Sequence, residues 1–244
     1  MGLSTVADTG YALWKTLEIS VPTVVDALAG RLTVERSDAR LRSWSQALLD
    51  RAEVELSVSG LDRVPLDRAY VLMSNHQSHF DVPILYRAWP GTLRMVAKAE
   101  LFRVPVWGRA MRAAGFVAVD RSGNRAKAEA AMRAAGEAIR AGVSIWIAPE
   151  GTRSEDGQLG KFKKGGFLLA LETRTPIVPI AISGSRDILP KHTRAIVRGA
   201  RVQVTFGAPI DPSRPSEIDP RRGSAKVAAL STEVRDFISA HLVK

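Results

Sequence analysis

Apolar positions recur at helical spacing through the first fifty residues and then give way to alternation and short apolar runs, so the pattern divides the chain near residue 53. Val6, Leu13, Trp14 and Leu17 share one face of a helix predicted over 3–19, which Pro22 is expected to stop or kink. A short apolar run over 23–28 ends at Gly30. A further helix is predicted to open at Ser37 and to carry Leu41, Trp44, Leu48 and Leu49 on one face. Core packing explains these stripes, and so does a position in a membrane interface, which Tyr11, Trp14 and Trp44 would suit.

Beyond residue 53 the period changes. Val54, Leu56 and Val58 alternate with Glu55, Ser57 and Ser59, and Gly60 stops the run. Strands are then predicted over 69–73, 93–97, 116–119, 143–148, 177–182 and 202–206, with helices between them. The clearest helix spans 125–140, rich in alanine. A last one, over about 225–242, is expected to bury Val227, Leu230, Val234, Phe237 and Ile238. The alternation predicts an α/β fold with a mixed, mostly parallel sheet of about seven strands flanked by helices. Residues 1–52 would form an N-terminal amphipathic helical segment and 53–244 the α/β domain, with 211–222 a surface connection.

Charge narrows the partners. The net charge of +10 calls for an anion: nucleic acid, a membrane surface or a phosphorylated substrate. Residues 1–60 carry six Lys and Arg against eight Asp and Glu, so the positive field belongs to residues 61–244. No apolar run reaches the roughly 20 residues that span a bilayer, and Asp8, Lys15 and Glu18 interrupt any secretory signal. There is no cysteine, hence no disulfide or thiolate chemistry, and the four dispersed histidines predict no metal site.

Candidate chemistry collects at predicted strand ends, where open α/β sheets place their sites. In Ser74-Asn75-His76-Gln77-Ser78-His79-Phe80-Asp81, an imidazole and a carboxylate stand five residues apart. On a continuous helix His76 and Asp81 would diverge by roughly 140°. If they cooperate, the chain must turn between a strand that ends and a helix that begins at Asp81, with Pro83 just inside it. An imidazole so held by a carboxylate is a general base. The other strand ends are 97–100 with Lys98, 115–121 with Asp120 and Arg121, and Pro149-Glu150-Gly151-Thr152-Arg153-Ser154. In the last, Gly151 would let the backbone approach closely while Arg153 clamps an anion through paired hydrogen bonds. Lys161, Lys163 and Lys164 would extend the positive pocket. Each feature also has a structural reading: Asp81 as an N-cap, His76 as a hydrogen-bonded core histidine, Asp120 and Arg121 as a surface ion pair, the lysines as a solvated face.

Taken together and in order, 75–81, 115–121, 149–154 and 175–179 resemble the four motifs of the glycerolipid acyltransferases, in particular the bacterial 1-acyl-sn-glycerol-3-phosphate (PlsC-like) group. The resemblance covers about 54–206; His79-Phe80 departs from the apolar pair often found before the Asp. It implies transfer of an acyl group from acyl-CoA or acyl carrier protein to the free hydroxyl of a lysophospholipid, without cofactor or metal. His76 would be the base and Asp81 its partner, fixing the imidazole tautomer. Glu150, Gly151, Thr152 and Arg153 would form the acceptor pocket, with Lys98 and Arg121 further candidates for its phosphate. Thr175 to Pro179 would support the fold or an acyl channel. A lipid acceptor implies a monotopic protein on the cytoplasmic face of a bacterial membrane, docked through 101–112, the N-terminal helices, or both.

Rival readings explain less. A related acyltransferase acting on glycerol 3-phosphate or another lysolipid would share the motifs. A nucleic-acid or anionic-lipid binding module accounts for the charge but not for His76, Asp81 and Glu150, and no nucleic-acid motif is present. A serine hydrolase lacks its Gly-x-Ser-x-Gly, and the Gly157 to Lys161 stretch is too short for a phosphate-binding P-loop.

Overall fold

The computed structural model of the protein describes residues 3–120, 124–190, 193, 195–214 and 223–243. Its centre is a sheet in the order β1 (Glu55–Ser59), β7 (Arg201–Phe206), β6 (Ile177–Ser183), β2 (Val71–Ser74), β5 (Ser144–Ile147), β3 (Leu93–Lys98), β4 (Val117–Val119). Neighbours are parallel throughout, except that β6 and β7 run antiparallel. All seven expected strands are therefore present.

Both faces of the sheet are covered, and the central strands show it residue by residue. Leu72, Val178 and Ile180 enter one core, which α2 (Val34–Arg51), α3 (Asp81–Ala88) and the short α7 (Ser185–Ile188) close with Leu41, Leu49, Ile84, Leu85 and Ile188. Val71, Met73, Ile177 and Ala181 enter the other, closed by α5 (Arg125–Arg140), α6 (Gly165–Thr173) and α8 (Gly223–His241). Burial on both sides is why these strands read as continuous apolar runs. On α8, Val227, Leu230, Val234 and Ile238 are buried as expected, while Phe237 is half-buried and stacks on His241. The connection at 211–222 lies largely outside the described residues. Pro176 opens β6 by accepting from Val71 N–H, at 3.1 Å, so the 175–179 motif serves the sheet.

The N-terminal helices depart from expectation. Helix α1 spans Leu3–Leu28 and runs through Pro22, absorbing the 23–28 run. An interior proline costs about 3 kcal/mol, and tertiary bonds along α1 offset that. Asp8, 3% exposed, accepts from Arg51 and Arg198 at 2.8 and 3.0 Å. Thr16 accepts from the Trp44 indole at 3.1 Å, and near the C-terminal end Asp26 takes the Arg40 guanidinium at 2.5 Å. Helix α2 opens at Val34 rather than Ser37, because Thr33 caps it by accepting from Arg36 N–H.

Trp44 is thus a packing residue. The outward face of α1 is different: Val6, Leu13, Trp14, Leu17, Val21 and Leu28 are all exposed, Trp14 at 64% and Leu28 at 84%. They fall within an arc of about 100°. In the other proposed docking stretch, Phe102 and Met111 are buried; α4 (Trp107–Ala113) packs against α1.

Candidate active site

Strands β2, β5, β3 and β4 are adjacent and parallel, so their C-terminal ends lie side by side on one edge of the sheet. The loops starting at Asn75, Ala148, Ala99 and Asp120 leave from that edge. Topology alone therefore gathers the motifs, which in sequence are scattered over some eighty residues.

The turn after β2 begins with a side chain acting as backbone. The Asn75 amide donates to Ile182 C=O and accepts from Ile182 N–H, both at 2.8 Å, closing the ladder where the strand ends. The chain then folds back, and His76 Nδ1 lies 2.7 Å from Asp81 Oδ2. Asp81 is fully buried and also accepts from Gln77 and Ser78 N–H at 2.7 and 3.0 Å. These donors precede α3, so Asp81 shapes the turn and does not cap the helix; Phe80 is the N-cap residue. Asp81 Oδ1 has no partner among the described residues. A carboxylate accepts only, so Nδ1 carries the hydrogen and the lone pair of the ring is left on Nε2. The imidazole stands edge-on to Trp146, with ring centroids 5.5 Å apart, and Trp146 is fixed by donating to Ser74 Oγ at 2.9 Å.

The loop after β5 closes over this turn. His76 C=O accepts from Ser154 N–H at 2.7 Å, and Gln77 Nε2 donates to Gly157 C=O at 3.0 Å. Glu150, 5% exposed, accepts from His76 N–H at 3.1 Å and from Gly160 N–H at 2.7 Å. Burial pushes its carboxyl up, against the two backbone donors and the charges of His76 and Arg235. Gly151 has φ of 68°, and a Cβ there would meet the Lys163 side chain at 2.9 Å. The positive φ is what favours glycine here, since the end of the flexible Lys163 side chain could shift aside.

Cations flank the turn. His79 as a residue is exposed, but desolvation of its ring, and after it the charges of Arg153, His76 and Lys98, lower the imidazole to about 4, against the pull of Asp81. Arg153 and Lys98 therefore both bear on the turn that carries His76. Thr152 is exposed, and Arg121 lies outside the described residues. Asp120 pairs with Lys127 at 2.6 Å.

Beside His76 is a cavity of about 410 Å³, walled by Trp146 and Pro149, by Val96 and Val117 of the sheet, by Ala128, Ala131, Met132 and Ala135 of α5, and by Leu169 of α6. Lys163 and Gly151 also line it. His76, Asp120 and Lys163 apart, the walls are apolar, and an aliphatic chain would fit them. Sequence reading missed Trp146, Gln77 and the α5 alanines. The strand period places Trp146 opposite Ile145 and Ile147, but only the pairing of Trp146 with Leu72 puts it under His76.

Comparison with known proteins decides the family. Residues 55–183 match the family model described as Acyltransferase. The chain belongs to the acyltransferase family. A chloroplast 1-acyl-sn-glycerol-3-phosphate acyltransferase of Brassica napus is 36% identical over 154 residues, covering 63% of this chain and 44% of that protein. The chain thus spans less than half the length of that relative. The 1-acyl-sn-glycerol-3-phosphate acyltransferase of Pseudomonas aeruginosa is 31% identical over 195 residues, 80% of this chain and 74% of its relative. The crystal structure of the lysophosphatidate acyltransferase PlsC from Thermotoga maritima superposes with a TM-score of 0.77 at 24% identity, covering 99% of this chain and 97% of that one, and shares its fold. In this member of the acyltransferase family, the turn with His76 and Asp81 and the Arg153 loop both lie within the matched region.

Proposed function

We propose that the protein transfers a fatty acyl group from acyl-CoA or acyl carrier protein to the free hydroxyl of lysophosphatidate, in phospholipid synthesis. The observation that carries this reading is the His76–Asp81 pair, 2.7 Å apart, beside an apolar cavity and under a loop that bears Arg153. The names of the relatives support the acceptor.

His76 Nε2 takes the proton from the acceptor hydroxyl as its oxygen attacks the thioester carbonyl. The new C–O bond forms, the C–S bond breaks, and His76 returns the proton to the leaving thiolate. Asp81 holds the tautomer and stabilises the imidazolium. Positioned base catalysis contributes typically about 10² to 10⁴, and a thioester needs no acyl-enzyme to make its leaving group good. The acyl chain of the donor occupies the cavity walled by α5, while Arg153 and Lys98 bind the acceptor phosphate.

A lipid acceptor has to be reached at a membrane. The exposed apolar face of α1 supports peripheral docking on the cytoplasmic leaflet, with residues 1–52 as the contacting segment. No described helix is long and apolar enough to cross a membrane.

Acyl transfer from palmitoyl-CoA and oleoyl-CoA to lysophosphatidate and to glycerol 3-phosphate tests the reading. Turnover with lysophosphatidate is expected and is abolished in His76→Ala. Turnover that survives His76→Ala, in a variant with the wild-type circular dichroism spectrum, would refute the assigned base.

A further inference from the structure

Both main-chain groups of His76 are bound by the loop that carries Arg153: its C=O by Ser154 N–H at 2.7 Å, and its N–H by Glu150 Oε1 at 3.1 Å. The other oxygen of Glu150 is equally committed, accepting from Gly160 N–H at 2.7 Å. Among the described ion pairs, none includes Glu150. It is a carboxylate buried against neutral donors, with burial raising its pKa.

Burying a charge whose hydrogen-bond partners are all neutral is costly, even with the charges of His76 and Arg235 in its favour. What the charge obtains here is geometry. Two backbone N–H groups, one from the turn after β2 and one from the loop after β5, converge on a single side chain, one on each of its oxygens. A carboxylate offers two acceptor oxygens at that length, whereas a glutamine offers one and would aim its NH₂ at the second donor. Gly160 completes the fit, because a Cβ there would lie 3.1 Å from Glu150 Oε2. Arg235 then holds the far side of the same stretch, donating to the carbonyls of Leu159 and Gly160 and lying 4.4 Å over the Phe162 ring.

We propose that Glu150 is a positioning residue for His76 rather than a ligand of the acceptor: it sets the base-bearing turn and the Arg153 loop at a fixed separation through their main chains. This rests on the acyltransferase reading with His76 as base. Each oxygen of Glu150 already accepts a main-chain N–H, and at 5% exposure little of the carboxylate is left for a substrate to reach, so its effect on the reaction passes through the imidazole. Arg153 acts on the phosphate and Glu150 on the proton transfer. The two residues, three apart in one motif, divide affinity from rate.

The test compares Glu150→Gln, Gly160→Ala and Arg153→Ala in the full chain. In Glu150→Gln we expect kcat to fall about 10- to 100-fold, as a base displaced by about an ångström does, with KM for lysophosphatidate within twofold. Gly160→Ala should move kcat in the same direction and less, and Arg153→Ala should chiefly raise KM. The far-downfield NMR resonance of the His76 Nδ1 proton supplies a readout that general destabilisation would not give. It should shift or broaden in Glu150→Gln and Gly160→Ala at temperatures well below unfolding, and stay in place in Arg153→Ala. A Glu150→Gln enzyme with unchanged kcat, or with a tenfold higher KM and unchanged kcat, overturns the proposal. If Glu150→Gln does not fold, Gly160→Ala decides: an unmoved resonance and wild-type kcat overturn it. His76→Ala separates the two ideas, since turnover without His76 sinks the base reading, whereas a dead His76→Ala beside an unaffected Glu150→Gln sinks only the positioning role.

Discussion

Asn75 and Ile182 stand 107 positions apart and exchange two hydrogen bonds, each 2.8 Å long. The side chain of Asn75 takes the place of a further β2 residue, so the strand can end and the chain can turn while β6 keeps its partners. Every later feature of the site hangs from that exchange, because His76 is the next residue.

Asn75→Ala is expected to leave a buried N–H and a buried C=O of Ile182 unpaired. At about 1–3 kcal/mol for each of the two unsatisfied groups, the loss should be about 2–6 kcal/mol. Urea unfolding measures it; a loss below about 0.5 kcal/mol would mean that the β2 end does not depend on this amide.

Asp81→Asn keeps the size of the side chain and removes its charge. All three bonds go to Oδ2, so an amide oxygen in that place can still accept them, but it carries no charge to stabilise the imidazolium, and its NH₂ takes the buried, unpartnered place of Oδ1. We expect kcat to fall about 10²- to 10⁴-fold, the range that base catalysis contributes, with little change in KM for either substrate. Steady-state kinetics would contradict this if only KM moved.

Ala131 lines the cavity from α5. Ala131→Phe should fill part of it and shift preference toward shorter acyl chains in a competition assay with acyl-CoAs of graded length. An unchanged product profile would place the chain elsewhere.

Trp14 and Leu17 point outward from α1, at 64% and 45% exposed. Trp14→Glu with Leu17→Glu should reduce flotation with anionic vesicles severalfold, while activity on a soluble short-chain acceptor stays near wild type. Equal flotation of variant and parent would remove α1 from the docking surface.

His79 links the turn to pH. In the folded protein its imidazole is lowered to about 4 from an ordinary 6.5. Between those values the unfolded chain takes up a proton that the folded chain refuses, so stability is lost as pH falls from about 6.5 toward 4. His79→Asn should lose less stability than the parent between pH 7 and pH 5 in urea titrations. Equal losses in both would show that other groups govern the acid side. An anion bound at Arg153 and Lys98 should raise the His79 pKa, which the imidazole ¹H shift would register on adding glycerol 3-phosphate.

The sequence by itself determined the strands, since burial on both faces leaves short apolar runs, and it determined helix 125–140 through composition. The five-residue step from His76 to Asp81 already required a turn if the two were to cooperate, and Gly151, two residues before Arg153, already allowed a close approach. Thr33 was a legible cap that the stripe beginning at Ser37 hid. Tertiary structure decided the rest, for identifiable reasons. Pro22 breaks an isolated helix, and only bonds to Arg51, Trp44 and Arg40 on other parts of the fold carry α1 past it. Whether Trp14 or Trp44 faces outward depends on which side of α1 meets α2. The partners of Glu150 are main-chain N–H groups, which every residue but proline possesses, so no side-chain pattern could name them. Chemistry was legible where it needs particular side chains; position was less so, because the turn that carries His76 is tied to the neighbouring loop through its own main-chain N–H and C=O.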